Sequence, residues 1–180
     1  MRPPGLLETD RLRLRRPLLE DAAAIFTAYA QDPEVTRYLT WRPHRRLGAT
    51  RDFLRRCAEA RKEGAAFPWA VTLRPDGRLI GMVEIRPAGH RVELGYVLAR
   101  PYWGHGLMTE AARAVADWTL AQPEVHRLWA VCDVENLASA RVLEKAGMTR
   151  EGVLRGWIVH PNLGPTPRDC ACFARVKGAR

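Results

Sequence analysis

Hydrophobic and polar positions recur with regular periods along most of the chain. Residues 7–16 place Leu12 and Leu14 between arginines, and this period of two predicts a strand with one solvated face. Apolar residues recur every three or four positions over 107–121, which predicts an amphipathic helix. Further strands are predicted at 67–73, 79–85, 91–98, 126–132, 148–158 and 166–176, and further helices at 21–31, 49–62 and 137–145, with one helical turn at 34–39.

The order of these elements predicts a mixed α/β (α+β) fold. Turn sequences around Gly77 and Gly89 make residues 67–98 an antiparallel meander. The helix at 107–121 then acts as a crossover, so the strand at 126–132 is expected to run parallel to the strand at 91–98. At 180 residues the chain is expected to form a single domain over 1–180.

A glycine-containing turn joins the strand at 91–98 to the helix at 107–121. Pro101 ends the strand, and Gly104 and Gly106 flank His105 just before the helix. Residues 103–109 carry no acidic side chain, and the first turn of a helix offers unpaired N–H groups and the positive end of its dipole. The turn therefore predicts an anion site, and phosphate is the anion we favour.

Other interpretations of this turn have different sequence requirements. It can be a tight strand–helix connection without a ligand. A P-loop is excluded because no Lys-Ser or Lys-Thr follows the glycines. A dinucleotide-binding fold would use Asp133 for the ribose, but Thr109 stands where the third glycine is required, and the strands before Gly104 lack intervening helices.

Composition bears on compartment and partners. No apolar run approaches the ~20 residues of a membrane-spanning helix, and the N-terminus has no signal-peptide core, so we expect a cytoplasmic protein that binds no membrane. Cys57, Cys132, Cys170 and Cys172 form no CxxC pair, so free thiols are expected rather than a metal site or disulfides.

The formal net charge is +9, and arginine supplies nearly all of it. No basic motif interleaved with aromatic residues accompanies this charge, so direct nucleic-acid binding is not expected. A basic surface would attract a polyanionic ligand or steer the protein to an acidic partner. An arginine-rich genome would explain the same charge without a functional partner.

Two stretches resemble the GNAT superfamily of acyl-CoA-dependent N-acetyltransferases. Residues 101–106, Pro-Tyr-Trp-Gly-His-Gly, resemble the family's Q/R-x-x-G-x-G/A turn for the CoA pyrophosphate, although Pro101 replaces the Gln or Arg and its side-chain contact. Residues 133–148 resemble the second CoA motif, N-x-x-S…E-K-x-G-[FM], which is more specific. The Tyr-Trp-Gly-x-Gly-x-x-Thr-Glu-Ala run is typical of the ribosomal-protein (RimJ/RimL-like) branch.

The resemblance extends over residues 8–176, which would be the core of the domain. It implies the GNAT fold, a mostly antiparallel, centrally splayed sheet of about seven strands flanked by about four helices. It also implies acetyl-CoA as co-substrate and no metal.

The resemblance assigns residues to acetyl-CoA. The acyl carbonyl would lie against the N–H of Val97, and the pantetheine amides would pair with the backbone around Val97 and Ala99 like an added strand. Asn136 would cap the helix at 137–145 and bind pantetheine, with Ser139 beside it. The pyrophosphate would contact the backbone of Trp103, Gly104, His105, Gly106, Leu107, Met108 and Thr109.

Glu93 is the candidate general base. It lies four residues before Val97, where many family members carry one, and it would accept the proton of the amine directly or through water. Glu84 on the neighbouring strand competes for this role. Alternatively, Glu93 faces solvent or pairs with an arginine such as Arg86.

Ser139 is the candidate acid for the leaving thiolate. It lies one helical turn after Asn136, and Leu143 stands where many relatives carry a tyrosine. The alternative is a small residue that allows close helix packing. For the acceptor, Trp41 and Arg42 are candidate substrate contacts, unless Trp41 covers the core and Arg42 is merely solvated.

The sequence thus favours an enzyme that moves an acetyl group from acetyl-CoA to a primary amine by direct attack in a ternary complex. Its branch suggests the N-terminal α-amine of a protein, with a polyamine, amino acid or antibiotic as the small-molecule alternative. A non-catalytic acyl-CoA-binding module on the same scaffold is the other class. The sequence does not decide whether the chain forms a homodimer.

Overall fold

The computed structural model describes residues 1–178. The chain forms one eight-stranded sheet with helices on both faces. This confirms the mixed α/β architecture, with eight strands and five helices instead of about seven and four. The strands are β1 (Leu6–Glu8), β2 (Leu12–Arg15), β3 (Phe67–Leu73), β4 (Leu79–Ala88), β5 (Arg91–Leu98), β6 (Arg127–Asp133), β7 (Thr149–Ile158) and β8 (Arg168–Val176). The helices are α1 (Ala22–Ile25), α2 (Pro33–Thr36), α3 (Leu47–Glu63), α4 (Leu107–Ala121) and α5 (Leu137–Lys145).

The strand order is β1-β2-β3-β4-β5-β6-β8-β7. Neighbouring strands are antiparallel except β5 and β6, which run parallel through the α4 crossover as predicted. None of the helices within residues 1–178 is long and apolar enough to cross a membrane.

The strand predicted over 7–16 is wrong in one respect, because the chain reverses within it. The Thr9 N–H donates to the Leu12 carbonyl at 3.0 Å, and the Thr9 hydroxyl accepts from the Leu12 N–H at 3.1 Å. Thr9 and Asp10 are polar residues that favour turns, so β1 and β2 form a hairpin. Leu12 and Leu14 are buried, as the period of two predicts.

The helix predicted over 21–31 is divided into short pieces. A 3₁₀ turn at Leu19–Asp21 leads into α1, and a π-helical turn follows at Phe26–Ala30. The Asp21 carboxylate accepts from the Leu18 N–H at 2.7 Å and pairs with Arg15, so it does not cap α1. The charge-assisted contacts to Arg15 compete with a capping role.

The sheet separates two layers of core side chains. Alternate residues of β5 point to opposite faces: Leu94 and Tyr96 pack with α4 and α5, whereas Val97 belongs to the cluster around α1 and α3. We call these faces the α4–α5 layer and the α1–α3 layer.

The sheet opens at its centre. β5 pairs with β6 only over Arg91–Glu93 and Arg127–Trp129. Beyond Glu93, β5 stays paired with β4 and β6 stays paired with β8, so the two strands diverge. Residues 94–98 of β5 therefore have no β6 partner in the described part of the chain. We call this opening the β5–β6 gap; it is the central splay that the resemblance implies.

Candidate active site

Glu93 is the last residue of β5 that pairs with β6, so it lies where the β5–β6 gap begins. By strand alternation its side chain shares the α1–α3 face with Val97. Arg86 lies opposite it on β4, hydrogen-bonds to Glu84, and approaches the Glu93 carboxylate at 3.5 Å. Arg86 thus contacts both carboxylates, and its contact with Glu84 is the closer one.

The spacing along β5 limits how Glu93 can act. Four residues of an extended strand span about 13 Å. An amine beside Val97 would therefore transfer its proton to Glu93 through water rather than directly. Glu84 pairs with Gly95, which brings it closer to Val97 along the sheet, and so Glu84 remains the competing base.

The glycine turn is open to solvent. A 3₁₀ turn at Arg100–Tyr102 leads out of β5, and Gly104 and Gly106 then have φ values of 80° and 72°, a region that favours glycine. Both glycines and His105 are exposed, and α4 begins at Leu107. Backbone N–H groups in such a conformation form a concave anion site at a helix N-terminus.

The side chains around the turn differ in what they can contribute. Leu107 and Met108 are buried in the α4–α5 layer, which leaves only their backbone N–H groups for a ligand, and Thr109 is half-buried. The Trp103 indole Nε1 donates to the Leu98 carbonyl at 2.8 Å and so ties the turn to the end of β5.

The start of α5 is joined to β5 by hydrogen bonds between Ser139 and Tyr96. The Asn136 Oδ1 accepts from the Ser139 N–H at 3.2 Å, which confirms Asn136 as the N-cap. The Ser139 hydroxyl lies 2.8 Å from the Tyr96 phenol oxygen, within hydrogen-bond distance, and the phenol is also within donating distance of the Ser139 carbonyl at 3.1 Å, so its single proton can serve one of the two. The structure thus brings Ser139 together with a β5 residue in the stretch that faces the gap.

Tyr96 is a site residue that the sequence analysis missed. In the sequence it is one apolar residue of a strand, and the available signal was its alternation with Leu94 and Leu98, which fixes its face. Burial raises the pKa of Tyr96 well above its usual value, and the hydrogen bond with Ser139 offsets only part of this. The phenol therefore stays protonated and can donate a proton or a hydrogen bond.

The backbone at the end of β5 is more occupied than the resemblance implies. The Ala99 N–H donates to the Ile80 carbonyl at 2.8 Å, and the Ala99 carbonyl accepts from the Tyr102 N–H at 3.0 Å. Ala99 is also buried. The expected pairing of pantetheine with Ala99 is therefore not favoured, because both of its backbone groups already have partners.

Val97 lies at a close contact between β4 and β5. Its carbonyl oxygen would be 2.3 Å from a Cβ atom added at Gly81, so only glycine fits there. The Val97 backbone faces β4, because Ala99 two residues on bonds Ile80 of β4 and antiparallel pairing repeats every second residue, which directs the Val97 N–H to Met82. The expected contact of the Val97 N–H with the acyl carbonyl is therefore not favoured, and the N–H groups of Tyr96 and Leu98 face the gap instead.

The loop that carries Trp41 and Arg42 is joined to the loop between β7 and β8. The Asn162 amide donates to the carbonyls of Thr36 at 2.7 Å and Trp41 at 2.8 Å. Trp41 packs partly on the α1–α3 layer and beside His44, while Arg42 is exposed. Both candidate contacts thus lie on the loop that borders this layer, which is also the side of Glu93.

Asp133 has a structural role that its sequence position does not indicate. Its buried carboxylate accepts from the Arg168 Nε at 2.6 Å and lies 3.4 Å from the buried His160 Nε2. Burial raises the pKa of this carboxyl, but hydrogen bonds from Arg168 and the Glu135 N–H and the charge of Arg168 outweigh burial, so its pKa lies below the usual value. A carboxylate held in this way is not available to a ribose.

The four cysteines are unpaired, and within residues 1–178 no three His, Cys, Asp or Glu side chains are grouped to hold a metal ion. Burial raises the pKa of the Cys132 thiol to about 11, although a hydrogen bond with Ser139 opposes the shift. This thiol is protonated at neutral pH and is a weak nucleophile.

Comparison with known proteins shows which family and which proteins this chain is similar to. The acetyltransferase (GNAT) domain matches residues 11–149. The chain is 31% identical over 175 residues to the uncharacterized N-acetyltransferase YoaA of Bacillus subtilis. The alignment covers 96% of this chain and 97% of YoaA.

Solved structures share the fold over nearly their whole length. An acetyltransferase (GNAT family) from Bacillus anthracis superposes with a TM-score of 0.84 at 27% identity, covering 97% of this chain and 99% of that one. The microcin C7 self-immunity acetyltransferase MccE, solved with acetyl-CoA and AMP, gives a TM-score of 0.86 over 97% and 98% of the chains. At 19% identity, the MccE match supports the fold alone.

Proposed function

Since this chain belongs to the GNAT family of N-acetyltransferases, we propose that it moves an acetyl group from acetyl-CoA to a primary amine by direct attack in a ternary complex. The β5–β6 gap is the observation that supports this most. It has the Tyr96–Ser139 hydroxyl pair on the α4–α5 side and Glu93 on the α1–α3 side. A thioester in the gap would meet a proton donor from one face and an amine from the other.

In the proposed complex, the glycine turn and the start of α4 bind the pyrophosphate, and Asn136 and the β5 edge hold pantetheine. The N–H of Tyr96 or Leu98, which by strand alternation faces the gap, polarises the acyl carbonyl by donating a hydrogen bond to its oxygen. These contacts agree with the open turn and the unpaired β5 edge described above.

The proposed reaction proceeds without an acyl-enzyme. The amine nitrogen attacks the thioester carbon, the carbon–sulfur bond breaks, and an amide and the CoA thiol are formed. The ammonium proton passes through water to Glu93, and the nitrogen loses its second proton to solvent after the attack. The Ser139 hydroxyl, hydrogen-bonded to Tyr96, gives its proton to the thiolate and regains one from solvent. The weakly nucleophilic Cys132 thiol is consistent with direct attack.

For the acceptor, we favour the N-terminal α-amine of a protein over a polyamine. The chain is 26% identical over 173 residues to the [ribosomal protein uS5]-alanine N-acetyltransferase of Escherichia coli, and 30% identical over 82 residues to the spermidine N(1)-acetyltransferase of that organism. The uS5 enzyme matches 87% of this chain and the spermidine enzyme matches 44%.

The charge of the acceptor side supports the same choice. Residues 37–56 contain seven arginines and one acidic residue, Asp52, which pairs with Arg55. The other six arginines have no carboxylate partner among the residues the structure describes. A surface of this kind repels a polycation such as spermidine and tolerates a neutral or acidic peptide.

Thiol release from acetyl-CoA with a panel of amines tests this function. We expect turnover with short peptides that carry a free α-amine, and none with the same peptides N-acetylated beforehand. Spermidine is expected to react at least about tenfold more slowly, with the deficit shrinking at high salt, because salt screens the repulsion from the arginines.

Two outcomes would contradict this account in different ways. Faster turnover of spermidine than of every peptide would assign a small-molecule acceptor. Calorimetric binding of acetyl-CoA without turnover of any amine would favour a non-catalytic acyl-CoA-binding module.

A further inference from the structure

The hairpin of β1 and β2 is joined to the first turn of α4. The Glu110 carboxylate accepts hydrogen bonds from the Thr9 hydroxyl, from the Arg11 N–H at 3.0 Å and from the Arg11 Nε at 2.6 Å. These hydrogen bonds and the charge of Arg11 outweigh the effect of burial and hold the pKa of Glu110 below its usual value. Glu110 is therefore ionised and fixes the Arg11 guanidinium beside the glycine turn.

The rest of the Arg11 guanidinium reaches the glycines. Its Nη1 donates to the His105 carbonyl at 3.1 Å, and its Nη2 lies 3.7 Å from the position that a Cβ atom on Gly106 would occupy. Within residues 1–178 no acceptor is found for Nη2. One end of the guanidinium is thus held by Glu110, and the other end lies open at the anion site.

The turn lacks a cation of its own. Pro101 stands where a Gln or Arg side chain would contact the pyrophosphate in the motif that this turn resembles. Arg100 is the only arginine or lysine in residues 99–109, and its guanidinium pairs with Asp32 at 3.1 Å. A diphosphate at this turn would therefore lack the side-chain hydrogen-bond donor that the motif supplies.

We propose that Arg11 binds the diphosphate of the acyl donor, supplying from the β1–β2 hairpin the contact that Pro101 removes. This inference rests on the proposed function. Because Glu110 already neutralises Arg11, the contribution comes from directed N–H groups rather than net charge. One hydrogen bond to a charged group corresponds to about tenfold in affinity.

A structural explanation of Arg11 predicts something different. If Arg11 only fastened the hairpin to α4, its loss would affect every acyl donor equally. If Arg11 binds the diphosphate, its loss would affect only donors that contain a diphosphate. Acetyl-CoA and acetyl-pantetheine have the same thioester and pantetheine arm, and acetyl-pantetheine lacks the diphosphate and nucleotide.

The test compares these two donors in steady-state kinetics. Arg11→Gln is expected to raise the KM for acetyl-CoA about tenfold and to leave kcat/KM for acetyl-pantetheine unchanged. Arg11→Lys should recover part of the affinity. Arg13→Gln is the matched control: Arg13 lies on the same hairpin and pairs with Glu8, so neither donor should be affected.

A double variant separates the diphosphate contact from the attachment of the hairpin to α4. In the double variant Arg11→Gln/Glu110→Gln no carboxylate is left unpaired, and the loss for acetyl-CoA should persist. An equal loss for both donors, an unchanged KM for acetyl-CoA, or recovery in the double variant would overturn the inference. A wild-type protein that used neither donor would instead refute the proposed function itself.

Discussion

Glu93→Gln is expected to lower kcat/KM for a peptide acceptor about 100-fold at pH 7, within the range typical of a lost general base. A peptide α-amine has a pKa near 8, so most of it is protonated at pH 7 and needs a proton acceptor. Above about pH 8 the amine is largely deprotonated, and the deficit of the variant should shrink. The measurement is kcat/KM against pH for wild type and variant.

Glu84→Gln is the matched control for this prediction. Both carboxylates lie on the same face and share Arg86, but Glu84 is hydrogen-bonded to the guanidinium while Glu93 lies 3.5 Å from it. We expect Glu84→Gln to leave the pH profile unchanged in shape. A loss confined to Glu84→Gln would assign the base to Glu84, and parallel pH profiles for wild type and Glu93→Gln would remove Glu93 from the role.

Asp133→Ala is expected to lower the free energy of unfolding by about 3 kcal/mol, the lower end for breaking a buried ion pair. The substitution leaves Arg168 and the buried His160 without their carboxylate. Arg168 is partly exposed and can regain water, which moderates the cost. Denaturant unfolding measures the change. Glu135→Ala is the control: Glu135 also contacts Arg168, at 2.9 Å but on the surface, so its loss should cost less than about 1 kcal/mol.

The Asp133 prediction also has a pH signature. The folded-state pKa of Asp133 is lowered, so its contribution is complete above the unfolded value of about 3.9 and is lost as pH falls through the folded value. The difference between wild type and Asp133→Ala should therefore be constant near neutral pH and shrink below about pH 4. Because Asp133 also raises the pKa of the buried His160, the diagnostic range lies below that of histidine, and a difference that grew as pH fell below about 4 would contradict the assignment.

Strong local periods made much of the fold predictable. The helices at 107–121 and 137–145 and the strands at 67–73 and 91–98 have the predicted bounds. Their apolar spacing, flanking Pro and Gly residues and the Asn136 cap all indicate the same structure. The parallel pairing of β5 and β6 follows from the single crossover helix between them.

Other features leave little local signal. Thr9 and Asp10 favour a turn, but no Gly or Pro marks the reversal between β1 and β2, so the sequence alone does not separate a turn from a continuous strand. Tyr96 and Ser139 are 43 positions apart, and Arg168 and Asp133 are 35 apart. Such pairs arise from strand register and helix placement, which a single sequence does not specify. The role of Arg11 depends in the same way on how a distant hairpin packs on α4.

Calorimetric titration of CoA into the wild type and Gly106→Ala tests most directly whether the glycine turn binds the diphosphate. Gly89→Ala is the matched control, since Gly89 also has positive φ but lies in the turn before β5. A non-glycine residue in this region costs about 1–3 kcal/mol, so both variants should lose similar stability. We predict binding to the wild type, at least about tenfold weaker binding to Gly106→Ala, and unchanged binding to Gly89→Ala. No detectable binding to the wild type, or equal affinities for all three proteins, would contradict the account.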